Sequence, residues 1–246
     1  VIRTALQTLA IIALLNSPAA LAQSVVAVRP SGPTVPANLL RFSIVFSPAP
    51  SNVGVQDFAL RQASGSHILA PFDPLELWSP DRRVLTLLFQ PGRVKTGLVA
   101  HNTLGSALIP GTDVVLLFRG HAIIRWRVTA PINIPPDPTH WQVRTPGSDT
   151  NDPITVHLGA GIDALDKDLL TVADAAGRRV PGYATLAHGE TVWRFAPSRP
   201  WQPGFYSIKI NPALEDPAGN RVRQSFEHRP KMDPAMDTAR LRIHIH

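Results

Sequence analysis

The clearest capacity for metal chemistry stands near the C-terminus, where His244 and His246 lie two residues apart. On a strand, side chains alternate between faces, so both imidazoles would project to one side and could chelate copper or zinc. Asp163, Asp166, Asp168 and Asp174 form a second grouping. Calcium takes several hard oxygens at about 2.3–2.6 Å, which a loop could supply, but the spacing is not that of an EF-hand. Hydrolysis by an activated serine needs a Ser on a sharp turn beside a His base. The nearest grouping, Ser64-Gly65-Ser66-His67, reads as an ordinary turn, where Gly and Ser are expected. The sequence has no Gly-x-Ser-x-Gly, His-Glu-x-x-His, phosphate loop or dinucleotide fingerprint. It has no cysteine, so disulfides, thiolate nucleophiles and cysteine-ligated zinc are excluded. No catalytic residue is assigned and no cofactor is expected.

Binding chemistry is better represented. Among five tryptophans, Trp78 and Trp201 sit beside prolines in expected loops, where an exposed ring could stack on a sugar; Trp126 and Trp193 fall in strand-like stretches and read as core. The net charge of +6 is unevenly spread. Residues 23–131 carry ten basic against five acidic side chains, and 132–229 carry ten against eleven. Arg82, Arg83, Arg93 and Lys95 flank one expected strand, and Arg119, Arg125 and Arg127 another, a distribution suited to an anionic partner. Nucleic acid is not expected, because exposed aromatics are not interleaved with the basic residues.

These residues are carried by a repeated β module. Phe42–Gly65 overlays Ile154–Gly177 without a gap, Val84–Phe89 overlays Glu190–Phe195, and Gly111–Leu117 overlays Gly204–Ile210. Leu40, Phe42, Ile44 and Phe46 place apolar residues at every second position, one face of a strand that a second sheet must cover. Twenty-five prolines and sixteen glycines break the chain into short strand-like pieces. They predict strands at Ser24–Arg29, Leu39–Phe46, Val55–Arg61, Val84–Phe89, Asp113–Phe118 and Ala122–Val128. The second half repeats them at His140–Arg144, Ile154–Leu158, Leu169–Val172, Thr191–Phe195, Phe205–Ile210 and Val222–Glu227. Such spacing predicts an all-β chain of two tandem antiparallel sandwiches, residues 23–131 and 139–229. Pro131–Pro138 reads as a semi-rigid proline-rich linker, centred on 132–138, with the domains end to end. The first copy carries an insertion between Phe89 and Gly111. Loops grafted on rigid sandwiches commonly bind, so Arg93 and Lys95 there are candidate contacts.

The two ends differ in kind. Arg3, the apolar run Ala5–Leu15 and Ala20-Leu21-Ala22 predict a signal peptide over 1–22, a chain beginning at Gln23, and export to the periplasm or the exterior. That run is too short to span a bilayer, so no stable membrane insertion is expected. In the tail, 230–246, Leu241, Ile243 and Ile245 would share one strand face and Arg240, Arg242, His244 and His246 the other. Such a strand must pair, either with the second domain or with another chain.

Leu214, Asp216, Gly219 and Asn220 spell L-x-D-x-x-G-N, after Pro203-Gly204-Phe205-Tyr206. With Phe46-Ser47-Pro48, this pattern resembles the bacterial Ig-like modules of surface-layer and other envelope proteins. The first copy departs from it with Arg119-Gly120-His121, and the second has Leu158-Gly159-Ala160 where the first has its F-S-P element. The resemblance implies Ig-like sandwiches and spacer, adhesion or accessory roles, with no common active site. The resulting reading is a non-catalytic secreted envelope module binding protein or polysaccharide, through Arg93, Lys95, Trp78 or Trp201. The alternative is a periplasmic copper or zinc protein using His244 and His246.

Overall fold

The structure, a computed structural model, describes residues 25–94, 99–224, 226 and 239–246. The expected signal segment and Lys95 lie outside the described residues. The first half contains β1 (Val25–Arg29), β2 (Thr34–Pro36), β3 (Arg41–Phe46), β4 (Phe58–Gln62), β5 (Phe72–Trp78), β6 (Val84–Phe89), β7 (Asp113–Phe118) and β8 (His121–Thr129). One sheet runs β1-β3-β6-β5 and the other β2-β8-β7-β4. Lettered in chain order, with β2 as an accessory first strand, these are the A-B-E-D and C-F-G sheets of an Ig-like sandwich. Phe42, Ile44 and Phe46 from β3 and Leu85, Leu87 and Phe89 from β6 are almost fully buried against Leu60, Leu116 and Trp126. Between the same two strands, Ser43 and Thr86 sit opposite each other, hydroxyls 2.9 Å apart, satisfying two buried polar groups with one cross-strand pair.

The second half comprises β9 (Gln142–Arg144), β10 (Ile154–His157), β11 (Leu170–Asp174), β12 (Gly182–Ala187), β13 (Val192–Pro197), β14 (Gly204–Ile210) and β15 (Ala239–Ile245). Its sheets, β12-β13-β10-β9 and β11-β14-β15, reproduce the same order. A separate core gathers Ile154, Val156, Trp193, Ile208, Ile210 and Ile245. The chain is therefore two tandem antiparallel Ig-like sandwiches. No described helix is long and apolar enough to cross a membrane.

The ungapped part of the repeat holds to the residue. Strands β4 and β11 occupy aligned positions, and so do the isolated bridges Arg61↔His67 and Ala173↔Arg179. The other two overlays shift. Ile154 pairs with Phe195 as Phe42 pairs with Leu87, so Phe195 corresponds to Leu87 and not to Phe89, a slip of two that keeps the face. Ile210 pairs with Leu170 as Phe118 pairs with Phe58, so Ile210 corresponds to Phe118 and not to Leu117. That slip of one puts the wrong face inward.

The copies also close differently. Arg119 and Gly120, both at positive φ, make the tight turn that joins β7 to β8 directly. In the second copy the described residues of the expected strand Val222–Glu227 form no strand: Arg221 and Gln224 close a small bridged turn. The closing strand is β15, which pairs antiparallel with β14 along its whole length, from Gly204↔Ile245 to Ile210↔Ala239. The tail strand thus pairs within its own chain.

Candidate functional site

Several residues expected to contact a ligand are instead structural. Arg93 lies in a short helix, α1 (Pro91–Val94), and is 3% exposed. Its Nη1 donates to the carbonyls of Leu104 and Gly105, and the Ala107 N–H returns to the Arg93 carbonyl at 2.8 Å. The insertion folds back so that Ala107 and Leu108 join the core. Arg93 is therefore a crosslink inside it, with no surface to offer an anion. Trp201 is 1% exposed, its indole N–H donating to the Asp152 carbonyl at 2.8 Å and its ring against Phe195 and Tyr206. A ring so enclosed cannot stack on a sugar: Trp201 turns inward from a connection whose neighbours Arg199, Pro200, Gln202 and Pro203 are exposed. Trp78 ends β5 instead of lying in a loop. It is half-buried against Phe46, and the Arg82 guanidinium stands over it at 4.7 Å.

The basic excess of the first sandwich is partly neutralised in place, Arg119 by Asp57 at 3.0 Å and Arg127 by Asp113 at 3.1 Å. The aspartate quartet is dispersed. Asp163 caps a 3-10 turn (Ala164–Leu169), Asp166 accepts the Glu215 N–H, Asp168 meets Lys167, and Asp174 closes a turn onto Arg178. Among the described residues no three His, Asp or Glu side chains converge on a metal position.

Two arrangements do bring functional groups together. The first is the junction between the sandwiches. Glu190, 2% exposed, accepts Arg29 Nη1 at 2.9 Å, Ser31 Oγ at 2.8 Å and the Ser31 N–H at 2.9 Å. Arg41 bridges Asp163 at 2.6 Å and Glu215 at 2.9 Å. Burial alone would lower the Arg41 pKa, but the two carboxylates outweigh it and raise it. Desolvation, with the Asp163 charge beside it, pushes Asp166 up to about 6 against the pull of the Glu215 N–H. The Leu40 N–H donates to the Pro217 carbonyl at 3.0 Å. At Gly189, φ +64, an added Cβ would stand 2.9 Å from the Gly32 Cα, so backbone meets backbone there.

The linker is held by amides from both sides. Asn38 exchanges two 2.9 Å bonds with Ile132, and Asn220 Nδ2 donates to the same Ile132 carbonyl at 3.0 Å. Asn220 belongs to the L-x-D-x-x-G-N turn. Asp216 closes that turn onto the Ala218 and Asn220 N–H groups, with Gly219 at φ +80. Its burial raises the Asp216 pKa, those donors opposing. Sequence reasoning identified the turn and missed its use, because its partners Ile132 and Leu40 are remote in the chain.

The second arrangement is the outer face of β14 and β15. With Ile208 and Ile210 inward, Phe205, Ser207 and Lys209 face out, opposite His244, Arg242 and Arg240. Phe205 is 68% exposed, its ring 4.6 Å from that of His244. His244 Nδ1 and His246 Nε2 share a hydrogen bond at 3.3 Å, so the two histidines, which their spacing puts on one face, meet there.

No family model matches the chain, and no curated protein matches it. Solved structures similar to it include the tandem Ig repeats of Dlar, 13% identical over 77% of this chain and 88% of that one, TM-score 0.25. Domains 5–6 of the S-layer protein SbsC are 10% identical over 89% and 95%, TM-score 0.24. The Escherichia coli adhesin FdeC is 14% identical over 81% and 62%, TM-score 0.23. These scores are low, and the Ig-like architecture rests on the strand orders and cores themselves.

Proposed function

We propose that this chain is a non-catalytic, rigid tandem module of the bacterial cell envelope, acting in the periplasm or at the exterior in a structural or adhesive role towards envelope protein or polysaccharide. The junction carries the reading. Partly buried ion pairs, a backbone-to-backbone glycine contact and an amide-clamped linker fix one sandwich on the other, whereas domains that only share a chain are expected to reorient. A crevice there, lined by Arg29, Arg41, Asp163 and Pro217, holds about 10 Å³, no more than one water. A fixed orientation serves a protein that spans distance or presents a surface, and does nothing for hydrolysis. Small-angle scattering of residues 23–246 tests this. One rigid shape is expected, and scattering that requires independently oriented sandwiches would overturn it. Turnover in a screen of esters and glycans would overturn the non-catalytic assignment.

A second reading is favoured by the histidine pair. Two nitrogens bound at about 2.0–2.1 Å to a tetrahedral ion stand roughly 3.3–3.4 Å apart, close to the 3.3 Å of the hydrogen bond between His244 Nδ1 and His246 Nε2, whose proton a metal would displace. Copper or zinc would be held by these two imidazoles, with water completing its shell. Copper-induced broadening of both imidazole signals, abolished in His244→Ala, is the expected result; no broadening at stoichiometric copper ends this reading.

A further inference from the structure

We propose that the outer face of β14 and β15 binds a carboxylated polysaccharide, with Arg240 and Arg242 taking carboxylates and Phe205 stacking on a sugar ring. This deepens the adhesive part of the proposed function and rests on it. The face contains a shallow depression of about 590 Å³ bordered by Phe205, Ser207, Arg240, Arg242 and His244. Among the described residues neither arginine has a carboxylate partner. The one acid at its rim, Asp174, is held by Arg178 at 2.9 Å and by the N–H groups of Ala176 and Arg178. The two guanidiniums, with Lys209 opposite Arg240, leave an unbalanced row of positive charge beside an exposed aromatic ring.

The other copy shows that the fold does not require this row. By pairing register, Phe205 and His244 correspond to Asp113 and Arg127, which neutralise each other at 3.1 Å. Lys209 and Arg240 correspond to Leu117 and Ala122. One sandwich thus carries a neutral pair and apolar residues where the other carries Lys209, Arg240 and an open ring; of the row only Arg242 has a basic counterpart, Arg125. The chemistry selects the ligand. A guanidinium fork matches a planar carboxylate, two arginines two apart on a strand lie about 7 Å from each other, and an extended polyanion can follow such a row. An exposed phenyl ring offers the apolar surface that a sugar's C–H face fits.

Calorimetric titration of residues 23–246 with polygalacturonate tests the proposal, with neutral dextran and dextran sulfate as controls. Polygalacturonate is expected to bind and to weaken with salt. R240Q/R242Q is expected to lose affinity by about tenfold or more, and Phe205→Ser by a few-fold with the salt dependence kept. Arg125→Gln, at the position of the first copy corresponding to Arg242, should bind as the parent does. Unchanged melting curves would show that the surface variants remain folded. Absent binding, equal binding of dextran or dextran sulfate, or an equal loss in Arg125→Gln overturns the proposal. None of these outcomes bears on rigidity, which scattering reads separately.

Discussion

Asp166→Asn should stabilise the protein at neutral pH and not in acid. The carboxylate lies beside Asp163 and Glu215 and accepts the Glu215 N–H at 2.8 Å. Desolvation first, with the neighbouring negative charge adding to it, lifts it from 3.8 to about 6. For an acid whose folded pKa is raised, the folded state holds the proton more tightly, so stability is lost as pH rises from 3.8 to 6 and the penalty is complete above 6. At about 1.36 kcal/mol per pH unit the full penalty is about 3 kcal/mol. The carboxyl is only half-buried, and solvent screening reduces this to about 1–2 kcal/mol. Asparagine keeps an acceptor for the Glu215 N–H and carries no charge. At about 2–4 °C per kcal/mol for a chain of this size, the melting temperature should rise by roughly 2–8 °C at pH 7.5. At pH 4.5 the gain should shrink to about a third. Parallel thermal melts of parent and variant at both pH values decide it. No gain at pH 7.5, or an equal gain at both, refutes the assignment of a buried, penalised carboxylate.

Gly189→Ala should force the sandwiches apart, because its Cβ meets Gly32 backbone at 2.9 Å; scattering should change from one rigid shape to an ensemble. Gly177→Ala, also at positive φ but with open space around it, should cost only about 1 kcal/mol of local strain and leave the scattering unchanged. Arg93→Ala leaves the Leu104 and Gly105 carbonyls without their donor and should destabilise the first sandwich by about 2–4 kcal/mol in urea, with polygalacturonate binding intact. Trp201→Ala should cost about 3–5 kcal/mol in the second sandwich, read by chemical denaturation.

What the sequence discloses follows the range of the interaction. Alternation along Phe42, Ile44 and Phe46 is a local consequence of one buried face, and it was legible. So was the ungapped stretch of the repeat, where β3, a 3-10 turn and β4 recur with fixed spacing. The strands Phe72–Trp78 and Gly182–Ala187 were not, because both are edge strands without a single buried residue. Register beyond the ungapped stretch was misread by one residue at β14, since an apolar run such as Val114–Phe118, buried on both faces, contains no alternation to fix its phase. Trp201 was misread because a proline neighbour marks the loop without saying that the ring turns inward from it. The junction was invisible: Glu190, Arg41 and Asn220 find partners far away in sequence, and an isolated charge or amide has no pattern. That His244 and His246 share a face was legible because strand pleat alone sets it.

The unequal closures of the two sandwiches set an order of events. In the first, β8 follows β7 across a tight turn, so the last sheet pairing forms between neighbours. In the second, β14 must wait for a strand that begins at Ala239. Closing that much longer connection costs more chain entropy and forms a less local contact. As the chain emerges from the ribosome N-terminus first, the first sandwich can be complete while β14 still presents an open edge. Two copies of one module on one chain invite exchange of equivalent strands. A time lag between their closures removes one partner from competition before the other is ready.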